Sequence, residues 1–178
     1  MVGEPVKGSW WGHPEGNAIY NACNALVDHE DVMQLKLVKR KVTFVHRDLW
    51  PAVLGLLSGE APWQTTGLTS EEKRLLTLVK VKGQVRGDKI PARGFVDVKK
   101  SAKELESRYL VVTQQEHSES GAHFNVYESW EHWRERVASK VAALKTAEAR
   151  KSLEAAVTKI GPSRLTAVQI AKALPGGK

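Results

Sequence analysis

Cys23 is the single cysteine in 178 residues. An internal disulfide is therefore excluded, and the pattern suits a reducing compartment such as the cytoplasm. No run approaches the ~20 consecutive apolar residues that a membrane-spanning helix needs. The opening residues Met1-Val2-Gly3-Glu4-Pro5-Val6-Lys7 lack the apolar stretch of a secretory signal. Catalytic signatures are equally scarce. There is no Gly-x-Ser-x-Gly, no Walker loop, no His-Glu-x-x-His and no paired-cysteine metal motif. His46-Arg47-Asp48 matches a kinase catalytic loop in three letters, but the glycine-rich loop and Asp-Phe-Gly of such an enzyme are missing. The reading therefore assigns no catalytic residue, no cofactor, no metal and no membrane partner.

Apolar residues make up 42% of the chain, enough for the core of one domain or two small ones. The net charge of +7 is concentrated at one end. Between Arg134 and Lys178 stand ten basic residues against three acidic ones, and the first 133 residues balance to zero. A local excess of this kind attracts polyanions such as nucleic acid; its plainer meaning is a solvated helix face.

Hydrophobic periodicity divides the chain into an α+β arrangement of three parts: a helix and β-hairpin unit over residues 10–57, a middle unit over 68–127, and a basic helical segment over 128–178. In the first, Ile19, Ala22, Cys23 and Leu26 recur at helical spacing. This predicts that Cys23 faces the core, which argues against a reactive thiolate. Val32 to Val38 alternates as a strand, Lys41 to His46 is β-branched, and Lys39-Arg40 between them is short enough for a hairpin turn. Asp48 is positioned to cap a following helix carrying Leu49, Val53, Leu56 and Leu57, with Pro51 in its first turn. Residues 58–67 read as a linker that Trp63 pins to a neighbour.

The middle unit opens with Thr69 and Glu72 three apart before an apolar run, the pattern of a capping box, and Gly83 ends that helix. Residues 84–94 form a turn-rich connector with room for one small helix. A further helix spans Val98 to Arg108. Leu110 to Thr113 and His123 to Tyr127 read as strands around the turn Ser118-Glu119-Ser120-Gly121. Helix, connector, helix and hairpin in that order predict a winged helix. From about Ser129 to Ile160 an imperfect helical stripe predicts one long helix, ended by Gly161-Pro162. Residues Thr166 to Leu174 have room for a short helix.

Lys99, Lys100, Lys103 and Arg108 lie on the candidate recognition helix. With Glu104 and Glu106 alongside, they suit phosphate contact better than base reading. Lys140, Lys145, Arg150 and Lys151 extend the candidate nucleic-acid surface into the C-terminal helix. His117 and His123 flank one turn, but their spacing matches no strong zinc signature, and polar side chains in water are the simpler reading. Trp10-Trp11-Gly12-His13-Pro14 offers stacking surface, although core anchoring is the commoner use of such aromatics, as it is for Trp50, Trp130 and Trp133.

The run Lys41-Val42-Thr43-Phe44-Val45-His46-Arg47-Asp48-Leu49-Trp50-Pro51, followed by a helix and a winged helix ending in His117-Ser118-Glu119-Ser120-Gly121, resembles small bacterial proteins related to the winged-helix DNA glycosylases (AlkZ-related). Those glycosylases excise alkylated or crosslinked bases. The resemblance covers residues 10–133. The glycosylases are longer, with tandem winged helices and a Gln-x-Gln catalytic motif, whereas Gln114 and Gln115 are adjacent here. No catalytic residue carries over, and the resemblance implies a binding or accessory relative. The expected function is non-catalytic binding of double-stranded DNA, linked to DNA repair. One rival is a nucleobase-excision enzyme using Glu116, Asp48 or Gln115. Another is a protein-interaction module, a homodimer through the Val137 to Ile160 helix.

Overall fold

A computed structural model describes residues 12–91, 93–117, 123–160, 169 and 172–176. The Trp10-Trp11 pair, the 118–121 turn and most of 161–171 lie outside them. The chain is of the α+β class. Helix α1 (Gly16–Val27) leads to strands β1 (Val32–Val38) and β2 (Lys41–His46), then α2 (Trp50–Leu57) and the single-turn α3 (Pro62–Thr65). Next come α4 (Ser70–Lys82), β3 (Gln84–Arg86), α5 (Val98–Ser107), β4 (Val112–His117), β5 (His123–Glu128), α6 (Trp130–Val137) and α7 (Thr146–Ile160). Among the described residues no helix is long and apolar enough to cross a membrane.

β1 and β2 form the expected antiparallel hairpin, with Val38 paired to Lys41. Lys39 and Arg40 both take positive φ, 50° and 56°, as a two-residue turn matched to strand twist requires. β1 points Met33, Leu35 and Leu37 inward and leaves Gln34 and Lys36 exposed. The other three strands form a sheet ordered β3-β5-β4, antiparallel throughout. β3 is a finding rather than an expectation. Three residues of a turn-rich connector carry no detectable period, and their strand character comes from pairing Val85 with Tyr127.

Two apolar cores result. The first gathers β1, α2, α6 and α7 around Leu54, Leu57, Trp50 and Trp133. There Trp133 stands edge-on to Trp50 at 5.2 Å and to Trp130 at 6.0 Å, so these tryptophans are core anchors. The second packs α4, α5 and β5 around Leu75, Val79 and Leu105. Residues 109–112 join them: Tyr109 and Val112 belong to the first core, Leu110 and Val111 to the second.

The junction is built at the end of α5. Leu110 donates its amide to Leu105 O at 2.9 Å and Tyr109 donates to Glu106 O at 3.0 Å, the paired bonds that close a helix through a left-handed residue. Glycine is the usual occupant of that position. Here it is Tyr109 at φ 56°, a conformation costing on the order of 1 kcal/mol for a residue with a Cβ. The surroundings hold it there. Its hydroxyl donates to Lys36 O at 2.7 Å, and its carbonyl accepts Trp130 Nε1 at 2.7 Å. Gln64, fully buried, donates Nε2 to Leu57 O at 2.8 Å and to Arg108 O at 3.0 Å. Segment 58–67 is therefore no loose linker. Trp63 does pin it, packing edge-on to Tyr109 at 6.4 Å.

Several local expectations are corrected. Asp48 caps no helix: residues 47–49 form a 3-10 turn, and His46 Nδ1 accepts the Asp48 amide. Cys23 is half-buried, because α1 buries only Gly16. The long helix over 129–160 is two helices. Residues 138–145 break it because they cross α2, where Leu144 N donates to Pro51 O at 2.9 Å. The crossing needs Gly55, since a Cβ there would stand 2.1 Å from Leu144 O. α7 then buries its own stripe, Ala149, Leu153 and Val157, within the chain.

Gly55→Ala is expected to force the 138–145 crossing off α2 and cost about 1–3 kcal/mol in urea unfolding, the range for overpacking. Tyr109→Phe is expected to cost about 1 kcal/mol by leaving Lys36 O without its donor. Burial pushes the Tyr109 phenol above its ordinary range, Arg40 opposing and Glu106 assisting. The folded chain then keeps a proton that the unfolded chain releases. This contribution is intact below the ordinary tyrosine pKa of about 10 and declines as pH rises beyond it. Urea midpoints across alkaline pH should fall for the native chain and fall less for Tyr109→Phe.

Candidate nucleic-acid interface

Helix α5 begins at Asp97, whose carboxylate accepts the Lys100 amide at 2.9 Å. Glu71 on α4 accepts the Asp97 amide at 2.9 Å, and that bond holds its carboxyl below the ordinary range. α5 buries Ser101, Ala102 and Leu105 and turns Lys99, Lys100 and Lys103 to solvent. None of these three lysines forms an ion pair with a described residue. The fourth candidate on this element behaves differently. Arg108 Nε meets Glu104 Oε1 at 2.6 Å, while Nη1 donates to Thr66 O at 2.6 Å and Gln64 O at 3.2 Å. It fastens α5 to the α3 turn.

The C-terminal candidates are also sorted by the fold. Lys140 and Lys145 stand exposed on the segment between α6 and α7, and Lys151 is exposed on α7. Arg150 is half-buried, donating to Pro175 O at 2.6 Å and facing Glu154 at 3.8 Å. α7 packs on α2 and α5 on α4, so the two basic groups ride on different cores.

Two clefts open beside the three-stranded sheet. One, of about 610 Å³, lies between α5 and β5 and is lined by Lys99, Lys103, Lys36, Asp88 and Asn125. Lys36 comes from β1 and meets Glu106 at 3.0 Å. The sequence marks Lys36 only as an outward residue of an alternating strand; nothing local brings it to a helix seventy residues away.

The other cleft, of about 810 Å³, lies between β1, β4 and α6 and is lined by Gln34, Gln114, Gln115, Asp31, Arg47 and Arg136. Its arginines are already engaged. Arg47 meets Asp31 at 2.7 Å. Arg136 grips Glu128 with both ends of its fork, at 3.0 and 2.7 Å, and this bond raises its pKa. Glu128, almost fully buried, also bonds His132 Nδ1 at 2.7 Å. Trp50 and Trp133 line this cleft but are 2% and 3% exposed, so they offer no face for a base to stack upon.

Of the three acid or amide groups considered for base excision, Gln115 lines both clefts, while Asp48 and Glu116 line neither. Among the described residues no group of His, Cys, Asp and Glu could hold a metal ion.

The arrangement defines an α+β protein with a lysine-faced helix set against a small antiparallel sheet. A family model described as AlkZ related matches residues 6–174, and the chain belongs to that family. The family name links the fold to DNA-repair glycosylases. No curated protein and no solved structure matches the chain.

Arg108→Gln is expected to cost about 1.5 kcal/mol, the lower end for hydrogen bonds to a charged group, because the side chain retains some exposure. Lys100→Gln should stay within about 0.5 kcal/mol, as surface changes do. Urea unfolding of the two variants checks the division between structural and free cations.

Proposed function

We propose that the protein binds double-stranded DNA without catalysis, through a winged helix, in a cytoplasmic DNA-repair setting. Support for the winged helix comes from the order α4, β3, a short turn, α5, β4, β5, with β3 and β4 flanking β5. In that arrangement α5 is the recognition helix and β4–β5 the wing. The single observation that carries the function is the row of three solvent-facing lysines on α5, each without a carboxylate partner among the described residues. Ammonium groups in that state neutralise phosphates and release counterions, the sequence-independent part of DNA affinity. Glu104 and Glu106 on the same helix disfavour close base reading, so shape and backbone dominate. Lys140, Lys145 and Lys151 add attraction at longer range.

Family membership relates the chain to enzymes that remove damaged bases. Excision finds less support. A flipped base needs an aromatic or apolar sandwich beside an acid or amide. The larger cleft has the amides of Gln114 and Gln115 but buries its tryptophans. A homodimer through α7 lacks a free stripe, since Leu153 and Val157 are already covered.

Fluorescence anisotropy with a labelled duplex tests the reading. Binding should tighten steeply at low salt, with a log–log slope near −3 if three lysines each meet a phosphate, at about −0.9 per contact. Absence of binding at low salt would refute it. Incubation with alkylated duplex should leave no abasic sites.

A further inference from the structure

The cleft between α5 and β5 carries an imbalance that exposure of lysines does not by itself explain. Two carboxylates line it, and both are matched from within the chain. Asp88 is held in a two-bond fork by Arg86, at 3.0 and 2.9 Å, and Arg86 in turn lies 3.8 Å above the Phe124 ring. The guanidinium keeps the Asp88 carboxyl below its ordinary range. Glu106 receives Lys36 Nζ at 3.0 Å on both of its oxygens. The cations left over are Lys99 and Lys103. They stand four apart, on one flank of the helix, and so project side by side. Lys100 follows about 100° further round and does not line the cleft.

The opposite wall combines the amides of Asn125 and Gln115 with the rings of Phe124 and Tyr127. Asn125 donates to Tyr127 Oη at 3.5 Å, and Gln115 stands on the neighbouring strand. The 87–89 turn lies beside β5 at the edge of the cleft. Gly87 lets that turn approach β5, for a Cβ there would meet Asn125 O at 3.2 Å. A cleft of about 610 Å³ is larger than one phosphate requires. It sets two ammonium groups along one side against amides and aromatic rings along the other.

We infer that this cleft is a phosphodiester-binding subsite, in which one strand of the duplex backbone passes between α5 and β5 with its phosphates on Lys99 and Lys103. The inference rests on the DNA-binding reading above. Glu106 limits the affinity of the site in two ways: it holds Lys36 at the lip, and its own charge faces the path of the strand. Removing that charge frees a third cation.

Anisotropy on the full chain with one labelled duplex at low salt tests this. Lys99→Gln with Lys103→Gln should weaken binding at least about tenfold and flatten the salt slope by about 2, at roughly 0.9 per lost contact. Lys159→Gln, at an exposed residue of α7 away from the cleft, should weaken it less than about threefold, and Glu106→Gln should tighten it about two- to fivefold, as loss of a repelling charge beside a phosphate predicts. Circular dichroism checks that each variant folds. If the unaltered chain binds no duplex, both readings fall. If it binds and the double variant behaves like Lys159→Gln, or Glu106→Gln has no effect, the cleft is overturned while DNA binding stands. Inorganic phosphate is the competitor, with chloride matched for ionic strength. Displacement beyond the chloride effect gives the cleft to a free phosphoryl ligand and overturns its assignment to a duplex strand; equal effects uphold it.

Discussion

Tyr109 sits in a left-handed conformation that its side chain disfavours, and three separate parts of the chain converge to keep it there. β1 supplies the acceptor for its hydroxyl, α6 a tryptophan N–H for its carbonyl, α3 both Gln64 and the edge of Trp63. The turn at Tyr109 sends the chain from α5 directly into β4. It thereby fixes the angle between the lysine-bearing helix and the sheet beside it. If the turn relaxed, the cleft between α5 and β5 would change width and the Lys36–Glu106 contact would part. The stability of the junction and the geometry of the interface are thus one problem. Gln64 has a similar standing, since its buried amide satisfies carbonyls that would otherwise lie dry, each at a cost of about 1–3 kcal/mol.

Charge in the chain follows a second constraint: most described guanidiniums are anchored, while the lysines of the interface are free. Arg47, Arg86, Arg108, Arg136 and Arg150 all face carboxylates, and Arg108 and Arg150 bind backbone carbonyls as well. A planar fork suits such fixed, two-bond ties, whereas an ammonium on a flexible stem keeps its water and remains able to meet phosphate. Glu128 is the extreme case on the structural side. Its carboxylate is almost dry and survives through Arg136 and His132. Stripping away Arg136 would remove the permanent cation that pairs with this buried carboxylate.

The parts of this fold that were legible in the sequence are those with a local cause. The β1–β2 hairpin announces itself by alternation, α4 by Thr69 and Glu72 at one end and Gly83 at the other, and α5 by its apolar spacing. The unreadable parts have distant causes. β3 exists because β5 lies beside it. The break after α6 is imposed by α2, through Gly55 and Leu144, and the residues of the break themselves favour helix. Tyr109 occupies a position where a glycine would have signalled the turn. Of the candidate interface, Lys99, Lys100 and Lys103 could be named from charge and periodicity alone. That Arg108 is a tie and Lys36 a neighbour depends on contacts across 42 to 70 positions of chain.

The two clefts share Gln115 yet differ in what they admit. The larger has three acidic residues, Asp28, Glu30 and Asp31, at its mouth, and its two arginines are matched to Asp31 and Glu128. A polyanion approaching it meets net negative charge. The smaller has its carboxylates matched, while Lys99 and Lys103 have no carboxylate partner among the described residues, the reverse balance. Shape alone would favour the larger cleft as a ligand site, since it holds about 810 Å³ against 610 Å³. Electrostatics decides otherwise, because unscreened pairing with phosphate is set by the charges left free. Under the proposed reading a duplex meets the α5 side of the sheet, where Gln115 on the edge strand offers a polar contact.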